Sequence, residues 1–265
     1  MSPSHPQEET VTDEALRFMT ALPDRRPELS AMRVLTGPQK FFLIGLIVLF
    51  LVGLVADFTK TLVAINGLFL IFYLIVVLFK AYLIHLAITS RRELQFTAEE
   101  LAGLEDHKLP VYSILVPLYH EAEVLPRLLK GIAALEYPDD KLDVMLLLEE
   151  DDEETIRAAR EQDLPPYVRL VVVPDAPPKT KPKACNLGLA LARGEFLVIY
   201  DAEDRPEPDQ LRKAVLGFRA LAARRKSGRR KEKEVVCLQA KLNFYNQRQN
   251  ILTRWFTSDY SVWFD

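Results

Sequence analysis

The stretch VIYDAEDRPEPDQL, residues 198–211, decides the reading of this chain. An apolar run stops abruptly at Asp201, Glu203 and Asp204, and a proline-punctuated turn follows. Carboxylates held this close repel one another, so something positive is expected among them: a metal ion or a Lys or Arg partner, with plain water as the alternative. Which it is depends on what else the fold carries to the same place.

Outward from that stretch the same pattern recurs. VYSILVPLY (111–119), LDVMLLLEE (142–150), YVRLVVVPD (167–175) and EFLVIYDAED (195–204) read as buried strands, and EVVCLQAKLNFY (234–245) as a further one. Between them Val124, Leu125, Leu128, Leu129 and Ile132 recur at helical spacing, and ETIRAAREQ makes a short polar helix. CNLGLALARG reads as a helix starting near Ala184 and stopped by Gly194, while Leu211, Ala214, Val215, Phe218 and Leu221 trace an amphipathic one. Alternating strands and helices with continuous apolar strands predict an α/β domain with a mostly parallel sheet, covered by helices on both faces. Three of the strands end in polar residues: Tyr119-His120-Glu121, Glu149 to Asp152, and Asp201 to Asp204. In an open α/β sheet the ligand crevice lies outside the carboxyl ends of the strands, so these carboxylates are expected to converge on one edge.

The chain of 265 residues is 49% hydrophobic and 27% charged, enough for one sizeable domain plus extra segments. A net charge of −3 argues against an electrostatic nucleic-acid binder. Cys185 and Cys237 are far apart, with no zinc or CxxC spacing, and read as reduced, mostly buried thiols. There is no GxGxxG and no GxxxxGK[ST], which argues against dinucleotide oxidoreductases and P-loop NTPases.

The average conceals segregation. Residues 41–56 carry no charge, Asp57 and Lys60 interrupt, and residues 61–79 carry none either. Each run approaches the length needed to cross a hydrocarbon core of about 30 Å. The first begins too late for an ordinary signal peptide, and no small-residue cleavage site follows it. Arg25, Arg26, Arg33 and Lys40 precede the pair and Arg91 and Arg92 follow it, whereas the connector offers only Lys60. The positive-inside rule then places both ends in the cytoplasm, which predicts a multi-pass protein of the inner (cytoplasmic) membrane. The expected organisation is a polar, cytoplasmic linker segment at 1–40, its first 15 residues disordered, and a transmembrane hairpin at 41–90 (spans about 41–58 and 61–88). A linker at 91–109 and a cytoplasmic donor-binding domain at 110–265 follow. The run ARRKSGRRKEKE (223–234) reads as a solvated helix-to-strand loop, with contact to anionic lipid as the alternative.

A carboxylate edge suits phosphate only with an intervening cation, and Mg²⁺ or Mn²⁺ takes one or two carboxylates while substrate phosphates complete the shell. Asp201 and Glu203, two apart, reach one side if the chain there is still extended, with Asp204 as the outward neighbour or a cap for the turn. Lys179, Lys181 and Lys183 precede a helix N-terminus, which favours a diphosphate.

Taken in order, these pieces resemble the family 2 glycosyltransferases over about residues 110–246. Pro117-Leu118-Tyr119-His120-Glu121 resembles the family's P-x-Y-N-E, with His for Asn, and Glu149-Glu150 stands where an Asp-Asp pair is usual. Lys183-Ala184-Cys185-Asn186 resembles K-A-x-N, and YDAEDRPEPDQL resembles the D-A-D-x-x-P-x-P-x-L metal segment. With the hairpin, the resemblance narrows to the membrane-integrated, cellulose-synthase-like branch. It implies a GT-A fold, a UDP-sugar donor and inverting transfer to a growing β-linked glycan at the bilayer. Pro117, Tyr119 and Glu121 would border the nucleoside, and Glu150 would contact the uracil. Lys183 and Asn186 would lie near the diphosphate or the donor, and Asp201 with Glu203 would hold the metal, Asp204 being the other candidate for the second ligand.

The resemblance also implies a general base in a T-E-D-like motif and a Q-x-x-R-W motif. Neither occurs after residue 204, and Ile251 stands where the Gln before Arg254-Trp255 should be. The catalytic base is therefore expected beyond Asp265, and the chain reads as the donor half of a longer enzyme, inactive alone. Leu252, Trp255, Phe256 and Trp263 form an apolar stripe that suits an interfacial or a core helix. Two other functions fit the same residues: transfer of one sugar to a polyprenyl phosphate, and a non-catalytic nucleotide-sugar-binding subunit that pairs with other membrane subunits.

Overall fold

The apolar strands pair in parallel throughout the sheet of the computed structural model. The structure describes residues 7–19, 21–30, 34–89, 93–177, 179–227, 234–241, 244 and 246–264. Arg33, Arg91 and Arg92 of the expected flanks lie outside these residues. So do residues 228–233 of the basic run and Leu242, Asn243 and Tyr245 of the expected last strand. The Trp263 side chain is likewise not described.

In chain order the elements are β1 (Gln7–Glu8), α1 (Asp13–Met19), α2 (Ala21–Arg25), α3 (Gly37–Ala56), α4 (Phe58–Thr89) and α5 (Ala98–Ala102). Then come β2 (Tyr112–Leu118), α6 (Leu125–Ala133), β3 (Leu142–Glu149), α7 (Glu153–Arg160), β4 (Val168–Val173), α8 (Lys181–Leu191), β5 (Phe196–Ile199), α9 (Gln210–Ser227) and α10 (Ile251–Phe264). They fall into two compact units: Met1–Met32 with Phe96–Val236, and Arg33–Gln95 with Cys237–Asp265.

The first unit holds the sheet, in the order β1-β4-β3-β2-β5. Successive strand side chains point to opposite faces, which divides the core in two. Ile114, Val116 and Leu118 share one face with Val144, Leu146 and Leu148, under Leu125, Leu128 and Ile132 of α6 and Leu211 and Val215 of α9. Leu115, Met145 and Leu147 share the other with Val171, under Ala184 and Leu187 of α8 and Ala15 and Met19 of α1. Burial on both faces explains why β2 and β3 read as unbroken apolar runs. From β2 the chain steps outward through β3 to β4, then returns to the far side of β2 as β5. The reversal sets the topological switch point between β2 and β5.

The structure departs from the sequence reading in several places. Within residues 1–15, expected to be disordered, Gln7 and Glu8 form β1, α1 begins at Asp13 and Ala15 is buried; Met19, at the end of α1, is buried too. Polar composition is compatible with order here because β1 covers the free edge of β4, and Glu9 pairs with the buried Arg169. Helix α8 begins at Lys181, earlier than Ala184, because Pro182 is well tolerated in the first turn. It ends at Leu191, so Gly194 is not its stop. Gly194 answers to a close approach instead: a Cβ there would lie 2.4 Å from the Ser113 backbone nitrogen. No strand forms at 234–241, where Val235 and Val236 are exposed, because a strand needs a ladder partner and these described residues find none. Cys237 is exposed; only Cys185 is a buried thiol.

In the second unit, α3 and α4 are both mostly apolar, with no polar face along them. Asp57 makes the corner between them. Its N–H donates to Gly53 O at 2.9 Å, closing α3, and its Oδ1 accepts from the Lys60 N–H at 3.0 Å, opening α4. Gly53 lies against Thr61, whose Oγ1 would be 2.9 Å from an added Cβ. Windows of 20 and 29 residues, Gly37–Ala56 and Phe58–Leu86, are long and apolar enough to cross a membrane. On α10, Ile251, Leu252, Trp255 and Phe256 are exposed.

Candidate functional site

At the carboxyl ends of β2 and β5 a cavity of about 340 Å³ opens at the switch point. Its walls come from the turns that the sequence singled out. Pro117, Tyr119 and Glu121 line it after β2, Asp201 and Glu203 after β5, and Lys179 and Lys181 at the start of α8.

The turn after β2 is held by the β3–α7 turn. Asp152 caps α7, its Oδ1 accepting from the Thr155 N–H at 3.2 Å, while Oδ2 accepts from the His120 N–H at 2.6 Å. The Glu121 N–H donates to Thr155 Oγ1 at 3.2 Å. His120 sits at φ 55°, the left-handed region that Asn, Asp and His occupy more readily than other side chains. The Tyr119 ring leans on the His120 ring, their centroids 4.1 Å apart, and nearly half of Tyr119 faces solvent.

The turn after β5 is closed rather than extended. The Asp204 N–H donates to Asp201 O at 3.0 Å, and Asp204 Oδ2 accepts from the Asp201 N–H at 2.8 Å. Asp204 therefore caps the turn, while Asp201 and Glu203 both face the cavity. The positive partner expected among these carboxylates is Lys181, whose Nζ donates to Asp201 Oδ1. The neighbouring Lys179 bridges Asp151 at 2.6 Å and Asp175 at 2.8 Å. Those two contacts hold its ammonium above the ordinary lysine range.

The remaining carboxyls register their surroundings. Burial pushes Glu121 up, and the charge of Glu203 adds to it. Burial also raises Asp204, again with Glu203 adding and Lys181 opposing. Glu203 thus sets up a negative locus beside Asp201 that one lysine only partly offsets. Its donors are all carboxylate oxygens, the hard ligands that Mg²⁺ and Mn²⁺ prefer, so the residues fit a divalent cation. Among the described residues no three His, Cys, Asp or Glu side chains gather closely enough to hold one alone.

Three residues singled out by sequence do not line the cavity. Lys183 is buried, donating to Glu149 Oε2 at 2.8 Å, Pro174 O at 3.1 Å and Ala176 O at 3.2 Å, which uses all three of its donors. Glu150 is exposed, and its Oε2 accepts from the Asp175 N–H at 2.9 Å. Asn186 donates through Nδ2 to Met19 O at 3.3 Å. In their place stand Lys181 and Lys179, and the buried Glu149 rather than its neighbour Glu150. The KTKPK run flagged the lysines as a group. Only the helix start at Lys181 shows which faces the opening: Lys181 stands on the first helical residue and Lys183 is turned inward.

A sequence model of the family described as "Glycosyltransferase like family 2" matches residues 110–263. The chain is 29% identical over 113 residues to the probable glycosyltransferase YdaM of Bacillus subtilis, a match covering 42% of this chain and 27% of that protein. It is 26% identical over 181 residues to the probable glucomannan 4-beta-mannosyltransferase 7 of Oryza sativa subsp. japonica, covering 63% of this chain and 29% of that one. Among solved structures, the mannosyltransferase PcManGT from Pyrobaculum calidifontis, in complex with GDP-Man and Mn²⁺, superposes with a TM-score of 0.39 at 26% identity. That match covers 52% of this chain and 38% of the other. The chain thus spans under a third of the length of these curated relatives.

Proposed function

The chain belongs to glycosyltransferase family 2, with a parallel α/β sheet of the GT-A type preceded by two apolar helices, and we propose that it is the donor-binding part of a membrane-bound polysaccharide synthase. The enzyme takes a UDP-sugar and Mg²⁺ or Mn²⁺ and extends a β-linked glycan with inversion. The observation that carries this reading is the meeting of Asp201, Glu203 and Lys181 in the switch-point cavity beside Tyr119. The name of the rice relative, probable glucomannan 4-beta-mannosyltransferase 7, supports a β-linked polysaccharide as product. Two long, mostly apolar helices without a polar face support membrane integration, since a water-facing helix normally carries one. Arg25, Arg26 and Lys40 before the first of them support a cytoplasmic donor domain.

In this reading Tyr119 and Glu121 border the nucleoside, and Asp201 and Glu203 hold the divalent cation. When bound, that cation supplies neutralisation of the charge on the departing UDP. Lys181 then serves the diphosphate as a flexible point charge. Lys183 works from behind, fixing the first turn of α8 on Glu149 at the end of β3. The sugar-accepting hydroxyl needs a general base to take its proton.

The reading is tested on Asp201→Asn. Calorimetry with UDP and Mn²⁺ on the full chain in detergent is expected to show metal-dependent UDP affinity lost by tenfold or more, about 1.4 kcal/mol. Unchanged affinity overturns the site. Product class is read from radiolabelled UDP-sugar with the full-length enzyme: label in a long polymer supports the synthase, and label in organic-soluble lipid overturns it.

A further inference from the structure

Residues 7–19 lie outside the region matched by the family, yet they are built into the sheet and onto α8. Three separate contacts make the attachment. Strand β1 pairs with β4, Gln7 opposite Arg169 and Glu8 opposite Leu170, and the Glu9 N–H continues the ladder to Leu170 O at 2.9 Å. Helix α1 buries Ala15 and Met19 against Ala184, Cys185 and Leu187 of α8. Asn186, on that same helix, donates to the backbone carbonyl of Met19 at 3.3 Å.

The attachment grips α8 at both ends. At its carboxyl end the buried Arg169 donates to Leu191 O at 3.2 Å, and also to Glu9. Glu9 also pairs with Arg193 at 3.1 Å, just beyond the helix. Towards its amino end, Asn186 and the apolar contact lie within one to two turns of Lys181 and Ala184, which line the cavity. A helix clamped between the sheet and α1 cannot shift its first turn without disturbing the contacts on its outer side.

We propose that residues 7–19 are a positioning arm for the donor site: docked on α8, the arm holds the first turn of that helix against the cavity, so arm docking and nucleotide binding strengthen each other. Asn186 is then a positioning residue, its amide committed to the arm. The inference rests on the nucleotide-sugar reading of the cavity. Coupling of this kind is reciprocal: whatever affinity the arm confers on the nucleotide, the nucleotide confers on the arm.

The test uses the full chain in detergent micelles, with UDP and Mn²⁺ as the probe. Hydrogen exchange is first measured on the unmodified protein, where saturating UDP–Mn²⁺ is expected to slow exchange of amides in residues 7–19. The double variant Glu9→Gln, Met19→Ala is expected to weaken UDP–Mn²⁺ binding by about fivefold or more. Nucleotide binding that leaves exchange of the arm unchanged overturns the proposal, whether or not the variant folds. So does a folded variant with unaltered affinity. Absence of any UDP–Mn²⁺ binding by the unmodified protein overturns the donor-site reading itself, and the arm's role in it.

Discussion

The two ends of the sheet both carry carboxylates, and they use them in opposite ways. At the amino end, Asp143 is buried and saturated. It accepts from Ser113 Oγ at 2.7 Å, from Arg169 Nε at 2.9 Å and Nη2 at 2.6 Å, and from the Arg193 N–H at 2.9 Å. At the carboxyl end, Asp201 is half exposed, and its carboxylate meets Lys181 alone among its described hydrogen bonds. A carboxylate whose lone pairs are all taken by protein donors is part of the framework. One that keeps lone pairs open beside a cavity remains able to take a ligand. The contrast also locates the chemistry, because Asp143 is enclosed by protein donors while Asp201 lines the cavity at the switch point.

The contrast breaks most visibly at Asp143. Asp143→Ala leaves the buried Arg169 guanidinium with Glu9 as its remaining carboxylate partner, and breaking a buried ion pair by removing one partner costs about 3–5 kcal/mol. A fall of that size in the denaturation free energy, or failure to accumulate folded protein, is the expected result. A loss below about 1 kcal/mol would mean that the amino-end network is as dispensable as a surface pair.

A smaller effect is expected where the two habits meet. Asp152 belongs to the carboxyl end, yet like Asp143 it is buried, and each of its oxygens accepts from the protein. Burial alone would raise its carboxyl, but hydrogen bonds from Thr155 and from the His120 backbone outweigh that and hold it below the ordinary aspartate value. His120 and Glu121 are titratable groups that lie close to it. A lowered folded value means the stabilisation is full above the unfolded value, about pH 4, and is lost as pH falls through the folded one. Asp152→Asn is expected to cost about 1.5 kcal/mol at neutral pH. Thermal midpoints of the variant and the parent should converge below about pH 4. Parallel curves through that range would count against the charge as the cause.

Lys181→Ala sharpens the comparison from the exposed side. Both partners of the Lys181–Asp201 pair are close to half exposed, so its contribution to stability is expected to stay under about 1 kcal/mol. The measurement that should respond is binding. UDP–Mn²⁺ affinity falls if Lys181 serves the diphosphate, while the thermal midpoint stays near that of the parent. A large loss of stability with unchanged affinity would make this lysine framework after all.

The sheet was largely legible because β2, β3 and β4 are buried on both faces, and their Leu and Val runs have little other use. The convergence of Tyr119, Glu121, Asp201 and Glu203 was legible too, since each follows directly from a strand end. The direction of a helical side chain was not. Lys181 and Lys183 are two residues apart, about 200° around a helix, so one faces the cavity and the other the core. Sequence offers no phase until the helix start is known. The arm was hidden for a different reason: β1 is two residues long, and its partner Arg169 lies 160 or so positions away, so no local period announces the pairing. The 234–245 pattern shows the converse, a strand-like period without a ladder among its described residues.

The smallest effect is expected from His120→Asn, at the one non-glycine residue with positive φ among those described. The resembling family motif has Asn at this position, and the two residues share little chemistry. What they share is tolerance of the left-handed region, where a short polar or imidazole side chain is accepted and a β-branched one is not. The contact that matters at this position is made by the backbone: the His120 N–H reaches Asp152, and any residue able to hold φ near 55° keeps it. His120→Asn is therefore expected to change stability by less than about 0.5 kcal/mol. His120→Val is expected to cost about 1–3 kcal/mol, the range for strained backbone. Equal effects from the two variants would mean that the imidazole ring against Tyr119, and not the backbone turn, is what this position contributes to the site.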